Sequence, residues 1–204
     1  MGSLRPRKDD KFGTVYEFEK GPFIIALEDA LKNPSHPVAL LIEELNRGNA
    51  PAIFGELFQL LDREVDGSSK YEIRISETVK ESLKDYEEIY NSGKISLPNN
   101  LFIIGTMNSS DQGVFPLDTA FKRRFAFEYI SIDFDAHEDE PEFSMPKITI
   151  EKEKFTWGEF AKTANELMLE SSIVSEDRLF GPYFLSPSEL KCEDLNKMIC
   201  EKVL

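Results

Sequence analysis

Two short stretches of the chain are apolar without interruption. "VALLI" (38–42) and the centre of "NLFIIGTMN" (100–108) are of strand length, and unbroken apolar character predicts strands covered on both faces in a parallel sheet. Other stretches carry a helical period. In "GPFIIALEDALKNP", Phe23, Ala26, Leu27, Ala30 and Leu31 form one stripe, and Asn33-Pro34 ends it. Asn49 is placed to cap a helix carrying Ile53, Phe54, Leu57, Phe58, Leu60 and Leu61, buried on a wide face. "YEIRI" (71–75) alternates like a strand or hairpin arm. Residues 77–91 predict a charged helix opened by a Thr78-x-x-Glu81 capping box. "PLDTAFKRRF" predicts a short helix with a basic end, and "FEYISI" (127–132) a third strand.

The two ends of the chain differ from this middle. Residues 1–20 lead into "TVYEF" and predict a flexible arm, so the α/β core is expected over 21–134. "DFDAHEDEPEF" is strongly acidic and is followed by Pro146, which predicts a solvated linker over 135–155. Residues 156–204 then predict a small helical subdomain. One helix opens at Thr156-x-x-Glu159 and carries Trp157, Phe160, Ala161, Ala164, Leu167 and Met168 as a stripe. Ser186-Pro187-Ser188-Glu189 is a start signal for the last helix. Strands alternating with helices, then helices alone, predict an α/β layer with a helical appendage.

Composition narrows the function. The 204 residues are 41% hydrophobic with 16 Phe, enough for a real core. A formal net charge of −14 argues against direct DNA binding by this chain, because phosphate neutralisation dominates that affinity. No apolar run nears the length of a membrane span, and the N-terminus lacks a signal-peptide core. Cys192 and Cys200 suit a reducing, cytoplasmic setting. His36 and His137 have no ligand partner at metal spacing.

In open α/β sheets ligands sit off the carboxyl ends of the strands. Here "VALLI" ends in Glu43-Glu44, and "LFIIGTM" ends in Asn108. An apolar strand ending in two acids is the pattern of a Walker B strand. One acid holds Mg²⁺, and the next orients or deprotonates a water. A polar residue on the neighbouring tip can position that water. Lys122-Arg123-Arg124, read alone, is a basic helix C-terminus favoured by the macrodipole.

Three longer blocks are more specific. "LLIEELNRGNAPAIFGELFQLLDR", "NLFIIGTMNSSDQGVFPLDTAFKRRFAF" and "EDRLFGPYFLSPSEL" resemble, in this order, the McrB-like branch of AAA+ NTPases, the NTP-driven subunits of modification-dependent (5-methylcytosine) restriction systems. The resemblance implies a P-loop NTPase/AAA+-type parallel sheet core followed by a helical lid. It places Glu43 at the metal-binding acid, Glu44 at the catalytic acid and Asn108 at sensor 1. Arg123 and Arg124 fall where an arginine finger sits, and Arg178 near sensor 2. Asn46 and Arg47 belong to the "NRGN" signature that orders the strand tip or the subunit contact. The implied cofactors are Mg²⁺ and ATP or GTP. The implied partners are further copies in a hexameric ring and an McrC-like nuclease subunit. One departure is Glu43, where AAA+ proteins usually carry Asp.

The phosphate-gripping motif G-x-x-x-x-G-K-[ST] does not occur. The Gly93-Lys94 pair is followed by Ile95, with Glu88 at the first glycine position, and Gly2, Gly13 and Gly21 are not followed by Lys. The expectation is a partial AAA+ domain without its Walker A segment. Such a chain alone would bind and hydrolyse nucleotide weakly or not at all, and would self-associate in a form other than the family's ring. The alternative is a non-catalytic interaction or oligomerisation protein that retains the fold.

Overall fold

The computed structural model describes residues 1–9, 11–108, 113–135, 148–150, 152–170, 178–192 and 195–203. The chain forms two compact units, Met1–Ala126 and Phe127–Leu204. The "SSDQ" segment after Asn108, the centre of the acidic stretch and the approach to Arg178 lie outside the described residues.

The first unit opens with a hairpin where the sequence predicts an arm. β1 (Gly2–Asp9) pairs antiparallel with β2 (Gly13–Lys20), with Gly2 opposite Lys20 and Asp9 opposite Gly13. Asp9 makes the turn: its carboxylate accepts from the N–H groups of Lys11 and Phe12, and Gly13 follows at φ 77°. Arg5–Glu19 (2.8 Å) and Arg7–Glu17 (2.9 Å) pair diagonally across the ladder. Both faces are largely polar, so the strands show little apolar alternation, which is why the sequence does not announce them.

α1 (Pro22–Lys32) has Pro at its first turn and buries Phe23, Ile24, Ala26, Leu27 and Ala30, close to the predicted stripe. β3 (Val38–Ile42) runs parallel to β6 (Leu101–Gly105), in register from Val38↔Leu101 to Ile42↔Gly105. Aligned residues of a parallel pair share a face. Val38, Leu40, Leu101 and Ile103 belong to the core that contains α1. Ala39, Leu41, Phe102 and Ile104 share the other face, where Leu41 is 56%, Phe102 51% and Ile104 50% exposed. The expectation of strands covered on both faces therefore holds for one face only. The order of a run of apolar residues does not say how many neighbours the folded sheet supplies.

Asn100, just before β6, ties these elements together. Its side-chain nitrogen donates toward the carbonyls of Ala30 (3.0 Å), Asn33 (3.0 Å) and His36 (2.9 Å), while its own carbonyl accepts from Val38 N at 2.8 Å. It satisfies the frayed end of α1 and sets the start of β3.

Asn49 caps α2 (Ala50–Phe54), accepting from Ala52 N at 3.2 Å. The predicted long helix breaks at Gly55 (φ 51°) and continues as a 3-10 segment, Gly55–Leu61, leaving Ile53 exposed. β4 (Ile73–Arg74) and β5 (Lys94–Ile95) form a short antiparallel pair. Between them the predicted single helix is two, α3 (Glu77–Ser82) and α4 (Glu87–Ser92). The cap is Ser76, not Thr78: its hydroxyl accepts from Val79 N at 3.4 Å. Leu83, between the helices, is fully buried. α5 (Thr119–Lys122) starts at Asp118, which accepts from Phe121 N at 2.6 Å.

In the second unit, residues 127–132 form no strand ladder, and Tyr129 and Ile130 are exposed, so the third predicted strand is not one. Where the acidic linker was expected to end, β7 (Ile148–Ile150) and β8 (Glu153–Phe155) make a hairpin with Lys152 at φ 81°. The capping box opens α6 (Trp157–Glu170): Thr156 N donates to Glu159 at 2.8 Å and Glu159 N to the Thr156 hydroxyl at 3.1 Å. The buried stripe of α6 is Trp157, Ala161 and Asn165, with Leu167 left exposed. Asn165 is inside because it bonds the Phe180 backbone twice, through N–H (2.8 Å) and C=O (2.9 Å). The Ser186/Glu189 box also forms, but it opens one 3-10 turn, Glu189–Lys191; the last helix, α7, is Leu195–Val203. Trp157 is central to this core with Phe134, Ile148, Leu185, Leu190 and Leu195, and its indole N–H donates to Pro182 O at 2.8 Å.

Candidate functional site

β3 and β6 end side by side, and the chain leaving each is stitched to the other. Thr106 N donates to Ile42 O (3.0 Å) and Leu45 N to Thr106 O (2.8 Å), extending the ladder one step past the strands. The Thr106 hydroxyl accepts from Glu44 N at 3.2 Å. Glu44 itself sits at φ 51°, ψ 49°, a left-handed conformation that costs a non-glycine residue roughly 1–2 kcal/mol. The Thr106 contacts offset that strain. Gly105 leaves room for Leu45 against the strand end: a Cβ there would lie 2.9 Å from Leu45 Cδ2, and that side chain would have to shift.

Asn46 is the buried strut of the site, 4% exposed. Its amide donates to Asn108 O at 2.6 Å, and its backbone carbonyl accepts from Phe115 N at 2.8 Å. It thus holds the tip of β6 and the loop beyond it against the tip of β3. Glu43, Glu44 and Asn108 are all exposed there. The Glu44 carboxylate accepts from Arg47 Nε at 2.8 Å. Among the described residues Glu43 has no ion pair, and no group of three His, Cys, Asp or Glu gathers to make a closed metal cage. A divalent cation at this tip would have one or two carboxylates and take its remaining oxygens from water and phosphate. Mg²⁺ suits that donor set, since it keeps several waters and is commonly held this way.

The two candidate arginines have different surroundings. Arg124 is half-buried, with its side chain 8% exposed. It donates to Asp62 through Nε (3.0 Å) and Nη2 (2.6 Å) and to Ala120 O through Nη1 (2.6 Å), and it lies over the Phe58 ring at 4.0 Å. Arg123 is exposed and has no ion pair among the described residues. Arg178 is exposed in the second unit.

Thr106, Asp62 and Arg63 are structurally important here and are not singled out by sequence. Half-buried Arg63 donates to the carbonyls of Gly67 (3.0 Å), Pro98 (3.3 Å) and Leu101 (2.8 Å), and desolvation lowers its pKa from the usual value. The only available signal was that Asp62 and Arg63 close the first of the three sequence blocks.

Two strand tips are thus joined in parallel, the first acidic and the second followed by Asn108. The profile of the AAA domain (dynein-related subfamily) matches residues 11–125. The chain is 41% identical over 176 residues to the type II restriction enzyme BsuMI component YdiS of Bacillus subtilis (strain 168), covering 86% of this chain and 50% of that protein. It is 30% identical over 131 residues to the EcoKMcrB subunit of the type IV methyl-directed restriction enzyme of Escherichia coli (strain K12), covering 64% of this chain and 25% of the other. The chain belongs to the AAA domain family, in its McrB-like branch. It spans half of one of these curated relatives and a quarter of the other.

Proposed function

We propose that this chain is the hydrolytic half of a McrB-like NTPase that couples ATP or GTP hydrolysis to DNA restriction. The observation that carries the reading is the Asn46–Asn108 bond, which sets the acids of β3 and the polar end of β6 at one edge. Glu43 holds Mg²⁺, directly or through water. Glu44 aligns and deprotonates the attacking water once it leaves Arg47, and Asn108 positions that water. Mg²⁺ supplies charge neutralisation for the phosphates. Asn46 keeps the two tips in register, and Arg178 serves as sensor 2. Glu43 in place of Asp lengthens the reach to the metal by one methylene.

The phosphate grip comes from outside these 204 residues, since the sequence contains no G-x-x-x-x-G-K-[ST]. The chain alone therefore neither binds nucleotide tightly nor turns it over. Its partners are further copies of itself and an McrC-like nuclease subunit, in the cytoplasm, with DNA read by another domain. Isothermal titration with ATP or GTP and Mg²⁺ tests the first point: low-micromolar affinity of the isolated chain defeats it. In an assembly that includes a phosphate loop, Glu44→Gln abolishes turnover and spares nucleotide binding; surviving turnover removes Glu44 from its role.

A second reading, a non-catalytic interaction protein retaining the fold, is favoured by the exposed apolar face of Leu41, Phe102 and Ile104. Under it Glu44→Gln changes no activity of any assembly containing the chain.

A further inference from the structure

Glu44 is strained where it stands, and one residue of the neighbouring strand end holds it there. We infer that Thr106 is a positioning residue for Glu44, and that its hydroxyl fixes the direction from which the Glu44 carboxylate meets the attacking water. The inference rests on the proposed NTPase reading and assigns work within it.

β3 ends at Ile42, and the chain turns before the 3-10 segment Leu45–Arg47. The turn is made at Glu44, at φ 51°, ψ 49°. Gly, Asn and Asp reach this region at little cost, and Glu does not. A strained residue persists only where its surroundings over-determine it. Thr106 does so with three atoms. Its N–H donates to Ile42 O (3.0 Å), its carbonyl accepts from Leu45 N (2.8 Å), and its hydroxyl accepts from Glu44 N (3.2 Å). The first two contacts bracket Glu43-Glu44 and belong to the main chain, so any residue but Pro at position 106 keeps them. The third belongs to the side chain alone and falls on the strained residue itself.

Thr106 and Glu44 are both exposed, so water replaces the hydroxyl when it is removed, and the fold loses little. Water does not hold a direction. Without the hydroxyl the Glu44 backbone relaxes toward unstrained conformations, and the carboxylate moves with it. A displacement of about 1 Å is enough to cost on the order of a hundredfold in rate. Thr106 also stands two positions before Asn108, so one strand end orients both partners of the water. The mark of this role is a large loss of turnover at nearly constant stability.

The test has two parts. In the isolated chain, Thr106→Val shifts Tm by no more than roughly 2 °C. It speeds amide exchange at Glu44 by roughly fivefold or more, and by more than at Leu45, whose partner is the main chain. Glu44→Asn melts above Glu44→Gln, by roughly 2 °C or more, because Asn settles in the left-handed region. In a hydrolysing assembly that includes a phosphate loop, assayed with Mg-ATP and Mg-GTP well below every Tm, Thr106→Val lowers kcat by about tenfold to a hundredfold at unchanged KM. Thr106→Ser, which keeps the hydroxyl, restores most of it. The inference is overturned if Thr106→Val keeps the wild-type kcat, or if its loss is not recovered by Thr106→Ser or comes with a Tm drop beyond roughly 5 °C. Equal Tm for Glu44→Asn and Glu44→Gln removes the strain and overturns it as well. In each of these outcomes an inactive Glu44→Gln leaves the NTPase reading standing. An active Glu44→Gln overturns that reading and the role of Thr106 with it.

Discussion

The side-chain amide of Asn46 donates to the backbone carbonyl of Asn108 at 2.6 Å, across 62 positions of sequence. The bond is partly buried and joins the ends of two parallel strands, the first followed by Glu43-Glu44 and the second by Asn108. Removing it leaves a carbonyl without its partner next to the candidate water-positioning residue. Asn46→Ala should cost about 1–3 kcal/mol in denaturant unfolding. In a hydrolysing assembly it should lower kcat more than KM, because it misplaces Asn108 without removing a phosphate contact. Unchanged stability and turnover would show the strut to be dispensable.

Asn100 has a similar burial and a different task. One amide nitrogen serves three carbonyls, those of Ala30, Asn33 and His36, where α1 ends and the chain turns into β3. With two hydrogens for three acceptors, the contact is shared, and no single substitution reproduces it. Asn100→Ala should lose about 2–3 kcal/mol, hence a Tm drop of roughly 5–10 °C for a chain of this size. Amide exchange checks the mechanism: protection should fall first at the end of α1 and the start of β3. Uniform loss across the first unit would point to a cavity effect instead.

The ends of the two parallel strands were more legible in sequence than the frame around them. Glu43, Glu44 and Asn108 stand at strand ends because the apolar runs before them are unambiguous in length and character. One local cap was equally legible, Thr156 with Glu159 three residues on, whereas the Thr78/Glu81 pair gave way to Ser76 as the cap. What stayed hidden is non-local. The hairpin of β1 and β2 has no apolar alternation to betray it, and its pairing is held by a ladder and diagonal ion pairs. Asn165 broke the predicted stripe of α6 because its partner, Phe180, is 15 residues away. The distinction between Arg123 and Arg124 depended on Asp62, 62 positions before Arg124, and adjacent identical residues carry no local hint of which is buried.

In the second unit, Glu189 is held well below its ordinary pKa of 4.5, to about 2, first by the hydrogen bond from Lys202 and then by Ser186 N–H and hydroxyl. A carboxylate with a depressed folded pKa stabilises the fold above its unfolded value and loses that contribution as pH falls toward the folded value. The Tm advantage of the wild type over Glu189→Gln should therefore be constant at neutral pH and close between about pH 4.5 and pH 2. Carboxyl NMR titration gives the direct reading, and Lys202→Met should move the Glu189 midpoint back up. A midpoint near the ordinary value in the wild type contradicts the network.

The exposed face of the β3/β6 pair predicts how the isolated chain should behave in solution. Leu41, Phe102 and Ile104 are each about half exposed on neighbouring strands, aligned by register into one apolar patch. Apolar surface of this kind favours association, at ~25 cal/mol per Å² covered, and a sheet with two strands among the described residues also offers backbone edges for pairing. Sedimentation equilibrium of the isolated chain should show concentration-dependent self-association. Leu41→Lys with Ile104→Lys should shift it to monomer: both side chains are already at the surface, so the charges cost little folding stability. The same pair of changes should leave the Thr106–Glu44 and Asn46–Asn108 contacts intact, since those lie beyond the strand ends. A chain that stays monomeric at high concentration before any substitution would mean that this face needs no cover of its own kind.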